Sequence, residues 1–259
     1  MRPLAELDIR AIKAVLFDID DTLTTAGKLT AEAYSALERL EAADKLVVPV
    51  TGRPAGWCDH IARMWPVDAV VGENGAFYFC RAGDGLEKRF RVDAATRTRQ
   101  RAELEAIGRR ILAAVPGCAL ASDQAYRETD LAIDYCEDVP PLPLATAERI
   151  AALMREAGLT AKMSSIHVNG WFGDYDKLGM TRLLFTERFG WDLERRNAEA
   201  VFAGDSPNDA PMFAFFANSV GMANLRRFDA LAFERPKFVA RAPAGAGFAE
   251  LARHLLGEN

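Results

Sequence analysis

Histidine is scarce: His60, His167 and His254 are the three in 259 residues, and they stand far apart. That spacing offers no histidine-built zinc centre. The four cysteines, Cys58, Cys80, Cys118 and Cys136, include no Cys-x-x-Cys pair. A chain of this length needs no disulfide staples, so reduced thiols and a cytoplasmic setting are expected. No segment approaches 18 apolar residues free of charge, and Glu6, Asp8 and Arg10 interrupt the amino terminus where an export signal needs a continuous apolar stretch. Neither a membrane span nor a secretory leader is therefore expected. Excess positive charge is missing too: 37 acidic against 32 basic residues give a formal charge of -5, which leaves no electrostatic footprint for a nucleic acid. The arginines between Arg81 and Arg110 are interleaved with Asp84, Glu87, Asp93, Glu103 and Glu105 and read as a solvated face. What is plentiful is apolar residues, 50% of the chain, enough to exclude global disorder and to build one large domain or two modest ones.

Two aspartate-rich segments lie nearly the whole chain apart, Phe17-Asp18-Ile19-Asp20-Asp21-Thr22-Leu23 and Gly204-Asp205-Ser206-Pro207-Asn208-Asp209. Each follows an apolar run that reads as a buried strand. Asp-x-Asp after a strand can be a turn device, because aspartate bonds its own backbone. Here it is accompanied by Thr51-Gly52-Arg53 after the apolar residues 47–50, and by Lys177 near a predicted helix start after Asp174 and Asp176. A carboxylate nucleophile, a hydroxyl, an ammonium and further carboxylates are an inventory for phosphoryl transfer, and carboxylates gathered at strand ends suit a hard cation beside a phosphate.

Periodicity organises the rest. Strands are predicted at residues 11–17, 46–50, 68–71, 200–203 and 218–222, and helices at 30–43 (capped by Thr30), 57–64, 176–189, 210–216 and 246–256. This alternation predicts an α/β fold with a mostly parallel sheet covered on both faces. Between the halves the rhythm changes to a helix at 96–114, a strand at 131–135, a helix at 146–157 and a strand at 164–168, with Pro140, Pro141 and Pro143 breaking the path. Roughly 90 structureless residues would contradict ordinary loop lengths, so the insert is predicted to be a small α+β cap hinged near 79–83 and 170–174. The division expected is a catalytic core of residues 1–81 and 171–259 and a cap of residues 82–170.

Taken together, Asp18-Ile19-Asp20-Asp21-Thr22-Leu23, Thr51, Lys177 and Gly204-Asp205-Ser206-Pro207-Asn208-Asp209 resemble, in order and spacing, the four motifs of the haloacid dehalogenase-like phosphatases. The long insert, preceded by Gly72-Glu73-Asn74-Gly75-Ala76, looks like the type IIB branch, which includes sucrose, trehalose and mannosylglycerate phosphate phosphatases. The chain departs from the family pattern at Asp21, where glycine is usual, and at Leu178-Gly179 after the lysine. The resemblance implies a Rossmann-like core and a Mg2+-dependent hydrolysis of a small phosphomonoester. Asp18 would be the nucleophile and Asp20 the general acid and base. Thr51 and Lys177 would hold the transferring oxygens. Asp18, the Asp20 main-chain carbonyl, Asp205 and Asp209 would serve the metal, Asp209 as ligand or as orienter, with Asn208 positioning Lys177 or Asp209. Arg53, Asn74 and Asn208 are expected at the substrate.

In the cap, Ser164-Ser165-Ile166-His167-Val168-Asn169-Gly170-Trp171 alternates so that Ser165, His167 and Asn169 could point together, a set that suits a sugar or polyol phosphate beside Trp171. The bland reading is a half-exposed strand with Trp171 packed at the hinge. His60 and His254 read as surface or packing residues. Ala244-Gly245-Ala246-Gly247 lies before the last helix, not after a first strand, and reads as no nucleotide loop. A sugar phosphomutase and a catalytically silent phosphate binder are the competing functions, and the oligomeric state is left open.

Overall fold

Four-residue apolar runs with both faces buried form the centre of the molecule, which a computed structural model describes for residues 1–258. In chain order the elements are β1 (Arg2–Pro3), β2 (Ala14–Phe17), α1 (Ala31–Ala42), β3 (Leu46–Pro49), α2 (Ala55–Met64), β4 (Ala69–Gly72), β5 (Phe77–Ala82) and β6 (Gly85–Phe90). Then come α3 (Ala94–Ala114), β7 (Ala119–Leu120), β8 (Asp130–Asp134), α4 (Leu144–Glu156), β9 (Thr160–Met163) and β10 (His167–Trp171). The chain closes with α5 (Lys177–Leu184), β11 (Ala200–Gly204), α6 (Ala210–Phe215), β12 (Asn218–Gly221), β13 (Phe238–Val239) and α7 (Ala244–Leu255).

The main sheet has the order β1-β13-β12-β11-β2-β3 with every pairing parallel. Side chains alternate across it, so β2 sends Val15 and Phe17 into a core shared with α1 and α7, and Ala14 and Leu16 into a second core with α5 and α6. The first core includes the Phe17 and Phe248 rings, 4.8 Å apart, and the second the Phe202, Phe213 and Phe216 rings. Truncating such a ring to alanine typically costs about 3–5 kcal/mol. Thr30 caps α1 by accepting from Ala33 N at 3.3 Å, as its position before an apolar-periodic run predicts.

β2 and β11 are neighbours, but the chain winds from β2 towards β3 and from β11 towards β12, in opposite directions. A crevice opens at the carboxyl ends of strands where the winding reverses, and Asp18 and Asp205 leave their strands there.

A four-stranded antiparallel sheet, β7-β8-β10-β9, carries α3 and α4 on one face around Leu104, Ile107, Ile111, Ile133, Ile150 and Met154. This is the cap. The strand β9 was not foreseen. The first predicted hinge, residues 79–83, is instead the end of β5 and the turn into β6; β5 and β6 extend β4 as a three-stranded antiparallel sheet, and β4 touches the core through a Val50–Val71 bridge. Among the described residues, no helix is long and apolar enough to cross a membrane.

Candidate active site

Asp18 continues the ladder of β2, its N–H donating to Ala203 O at 2.9 Å, so the sheet itself fixes where its carboxylate emerges. Oδ1 accepts from Ile19 N at 2.8 Å, and Oδ2 lies 3.0 Å from Lys177 Nζ. Lys177 is the first residue of α5, whose cap Asp176 accepts from Gly179 N at 2.8 Å. Gly75 packs against the Asp176 carbonyl with φ +103, in a space and a conformation that exclude a Cβ, so the 72–75 turn braces the helix end that carries the lysine. The ammonium also reaches Asp209 Oδ1 at 2.8 Å. Asp209 Oδ2 accepts from Asp205 N at 3.1 Å and Ser206 N at 3.4 Å. Asp205 accepts from Thr22 Oγ1 at 3.4 Å and from Asn224 Nδ2 at 2.9 Å. Asn224 also donates to Asp21 O and accepts from Ala244 N, tying the first and fourth motifs to the last helix.

Asp18, Asp205 and Asp209 each offer an oxygen to one cluster, with those atoms within 4.8 Å of one another and all three residues buried. Burial pushes the Asp18 carboxyl up despite Lys177, with Asp209 and Asp20 adding to the rise. Burial raises Asp205 well above the ordinary range, and Asp209 and Asp18 reinforce it. Burial works against the Lys177 charge, but Asp18 and Asp209 outweigh it and raise its pKa. Three buried carboxylates against one ammonium leave negative charge uncompensated, and the donors are all hard oxygens, a set that fits a small divalent cation. Asp18 and Asp205 could hold such an ion. Both oxygens of Asp209 are committed to Lys177 and to backbone N–H groups, an arrangement that suits it to orienting the lysine.

The side chain of Asp20 stands apart from this cluster. Arg53 grips it, with Nε at 3.0 Å from Oδ1 and 2.9 Å from Oδ2 and Nη2 at 2.7 Å from Oδ1. Thr51 is fully buried, and its Oγ1 accepts from Arg53 N at 3.0 Å. Asn208 Oδ1 accepts from Ser206 Oγ at 2.7 Å rather than from Lys177. Glu73 and Asn74 both have positive φ, 41 and 55, and the buried Asn74 amide lacks a partner for either polar atom. Strained, orphaned groups of this kind gather at working sites.

The cap closes over these residues. A cavity of about 10 Å³, room for little more than one water, is lined by Asp18, Asp20, Arg53, His167, Asn169 and Asn208. Beside it a cleft of about 490 Å³ is lined by Asp20, Asp21, Lys28, Glu137, Ser165 and Arg227, among others. The two share Asp20, Arg53 and Ile166. The alternation expected of the cap segment is therefore split: His167 and Asn169 lie on β10 facing the small cavity, whereas Ser165 sits in the turn before the strand, its buried Oγ unpartnered. Asn169 Nδ2 donates to Asp130 at 2.9 Å. His167 Nε2 lies 2.9 Å from Glu137 Oε2 but out of line for a good hydrogen bond. Trp171 is fully buried and stacks on Tyr175, ring centroids 5.5 Å apart, in the packing role. His60 is exposed, and His254 Nε2 lies 3.0 Å from Leu7 O; neither is near the site.

Sequence reasoning missed Glu73, Asp123, Glu137, Asn224 and Arg227. Arg227 Nη2 donates to the Ser165 carbonyl at 2.5 Å and its Nη1 lies 3.4 Å from Asp21, joining core to cap.

A parallel α/β core with an Asp–Lys–Asp cluster at its strand ends and an inserted cap defines a capped, doubly wound α/β architecture. Residues 15–88 match the family model described as haloacid dehalogenase-like hydrolase. Comparison with curated proteins gives no sequence match. Among solved structures, Thermoplasma acidophilum 0175 is similar with a TM-score of 0.70 at 17% identity, over 95% of this chain and 99% of that one. The Candida albicans trehalose-6-phosphate phosphatase C-terminal domain gives 0.70 at 14% identity, over 95% and 93%. The sucrose-phosphatase of Synechocystis, solved with sucrose and phosphate, gives 0.61 at 17% identity, over 95% and 98%. The family match is thus confined to residues 15–88, while the fold of nearly the whole chain is shared with sugar-phosphatase structures.

Proposed function

We propose that the protein is a magnesium-dependent phosphatase that hydrolyses a sugar or polyol phosphate through an aspartyl-phosphate intermediate. The observation that carries this reading is the buried Asp18–Lys177–Asp209 chain at the strand ends, with Asp20 on the wall shared by the cavity above Asp18 and a polar cleft. An Asp18 carboxylate oxygen attacks phosphorus as the bond to the leaving oxygen breaks, and that oxygen takes a proton from Asp20. Water then attacks phosphorus, gives its proton to Asp20, and releases inorganic phosphate with the Asp18 carboxylate restored. Lys177 and Thr51 hold the transferring oxygens, while Asn208, on the cavity wall, and the unpartnered Asn74 amide would hold the substrate. Mg2+ at Asp18 and Asp205, with the Asp20 carbonyl, would neutralise charge on those oxygens.

The cleft volume falls in the usual range for small ligands, and its mixed acidic, basic and hydroxyl lining suits a hydroxyl-rich leaving group. The sucrose- and trehalose-phosphate phosphatases of the same fold support that choice. The cap of residues 82–170 supplies Ser165, His167 and Asn169 for selectivity. The free cysteines suit the cytoplasm. Phosphate release with Mg2+ across sugar, polyol, nucleotide and cofactor phosphates tests the reading. Preference for a sugar or polyol phosphate is expected; preference for nucleotides would reject the substrate class, and no release from any would reject the phosphatase.

A further inference from the structure

Arg53 is 3% exposed and carries carboxylates on both sides of the cap–core seam. On the core side it holds both oxygens of Asp20 through Nε and Nη2. On the cap side Nη1 lies 3.2 Å from Asp123 Oδ2 and 3.3 Å from Glu137 Oε2, and Nη2 lies 2.5 Å from Glu137 Oε1. Trp57 covers one face of the guanidinium at 4.4 Å. Asp123 is itself fixed by Arg127, whose wholly buried side chain reaches Asp123 Oδ1 at 2.9 Å, Asp130 at 3.0 Å and the Gly52 carbonyl at 2.9 Å.

A guanidinium is a planar fork whose donors must all find acceptors when buried. With the cap seated, the Arg53 fork is satisfied by Asp20, Asp123 and Glu137 together. With the cap lifted, Asp123 and Glu137 leave and the side chain loses the partners that orient it. Asp20 borders both the cavity above Asp18 and the cleft for the leaving group, so the fork sets which way its carboxyl points between them.

We infer that Arg53 is a positioning residue that couples cap closure to Asp20, aiming its carboxyl at the leaving oxygen when Asp123 and Glu137 of the cap are in place. This rests on the aspartyl-phosphate reading above. It has a chemical consequence. Alkyl and sugar leaving groups, which need a proton as the phosphorus–oxygen bond breaks, depend on the seated cap; nitrophenolate, a stable anion, does not. Cap anchoring would then select substrates by leaving-group basicity as well as by shape.

The test is a rapid-quench measurement of protein phosphorylation with Mg2+, using 4-nitrophenyl phosphate, phenyl phosphate and an alkyl phosphate, for the wild type and for Asp123→Asn. The variant is expected to lose about 10-fold or more with the alkyl phosphate, a part of the ~10²–10⁴ that general-acid help supplies, and less than about 2-fold with the nitrophenyl ester. Arg53→Lys, which keeps the charge and breaks the fork, should likewise steepen the dependence on leaving-group basicity, and it decides the matter if Asp123→Asn does not fold. Equal losses across the three esters, or none, in a wild type that does phosphorylate would overturn the positioning role and leave the phosphatase reading intact. A wild type that forms no phosphorylated protein with any ester would overturn both.

Discussion

Glu73 offers a quantitative test of how the cap is seated on the core. Its buried Oε1 accepts from Ala55 N and Glu128 N, both at 2.9 Å, and Oε2 accepts from Thr129 N at 2.6 Å and Thr129 Oγ1 at 2.5 Å. One carboxylate thus joins the start of α2 to the cap loop before β8. Replacing Glu73 with glutamine puts an NH2, which cannot accept, where the protonated carboxyl keeps a hydroxyl oxygen that can, and leaves up to two buried donors unmatched. At ~1–3 kcal/mol each, the loss is about 2–6 kcal/mol. For a chain of this size each kcal/mol moves Tm by ~2–4 °C, so Tm should fall by up to roughly 4–24 °C at pH 4.5. Burial, with Asp130 nearby, pushes the Glu73 carboxyl up from 4.5 to about 7. A raised carboxyl makes the folded chain keep a proton that the unfolded chain releases. Stability from this group is therefore greatest below about pH 4.5 and falls as pH rises through about 7, by something on the order of 3 kcal/mol. Glutamine does not titrate, so the gap between wild type and variant should narrow between pH 4.5 and 8. Thermal unfolding followed by circular dichroism across that range, at constant ionic strength and without divalent metal, reads it directly. A gap that widens with pH would mean that the four donors hold Glu73 as a stabilised anion, and the argument from burial would fail.

Exhaustive chelation should abolish phosphate release and Mg2+ should restore it, with Ca2+ restoring little because its looser shell misplaces Asp18; full activity after chelation would remove the metal from the account. His167→Ala should lower kcat/KM for a sugar phosphate by ~5–150-fold, the equivalent of ~1–3 kcal/mol, with a smaller effect on a small aryl phosphate, and parallel losses would deny it a leaving-group contact. Asn169→Ala should act differently, lowering Tm as well, because Asn169 holds Asp130 inside the cap seam; unchanged stability would contradict that placement.

The strand-end aspartates were legible because four-residue apolar runs locate the sheet, and residues just beyond a parallel strand must lie at one edge of it. Thr30 and Asp176 announced their helices by the same local chemistry. The short strand β9, Thr-Ala-Lys-Met, was missed because its alternation is weak and β10 supplies its partner. The cap partners of Arg53 are 70 and 84 residues away, and nothing in Thr51-Gly52-Arg53 hints at them; only cap docking brings Asp123 and Glu137 there. Glu73 read as part of a turn for the same reason, since its acceptor duty is to residues 55 and 56 positions later. Local rules gave the core, and long-range docking decided the seam.

The central claim is that Asp18 carries the phosphoryl group. Quenching the protein in acid during turnover of a radiolabelled phosphomonoester with Mg2+ should trap one acid-stable, base-labile phosphate per chain in the wild type and none in Asp18→Asn. Equal labelling of the variant, with the label mapped to another residue, would contradict the account at its root.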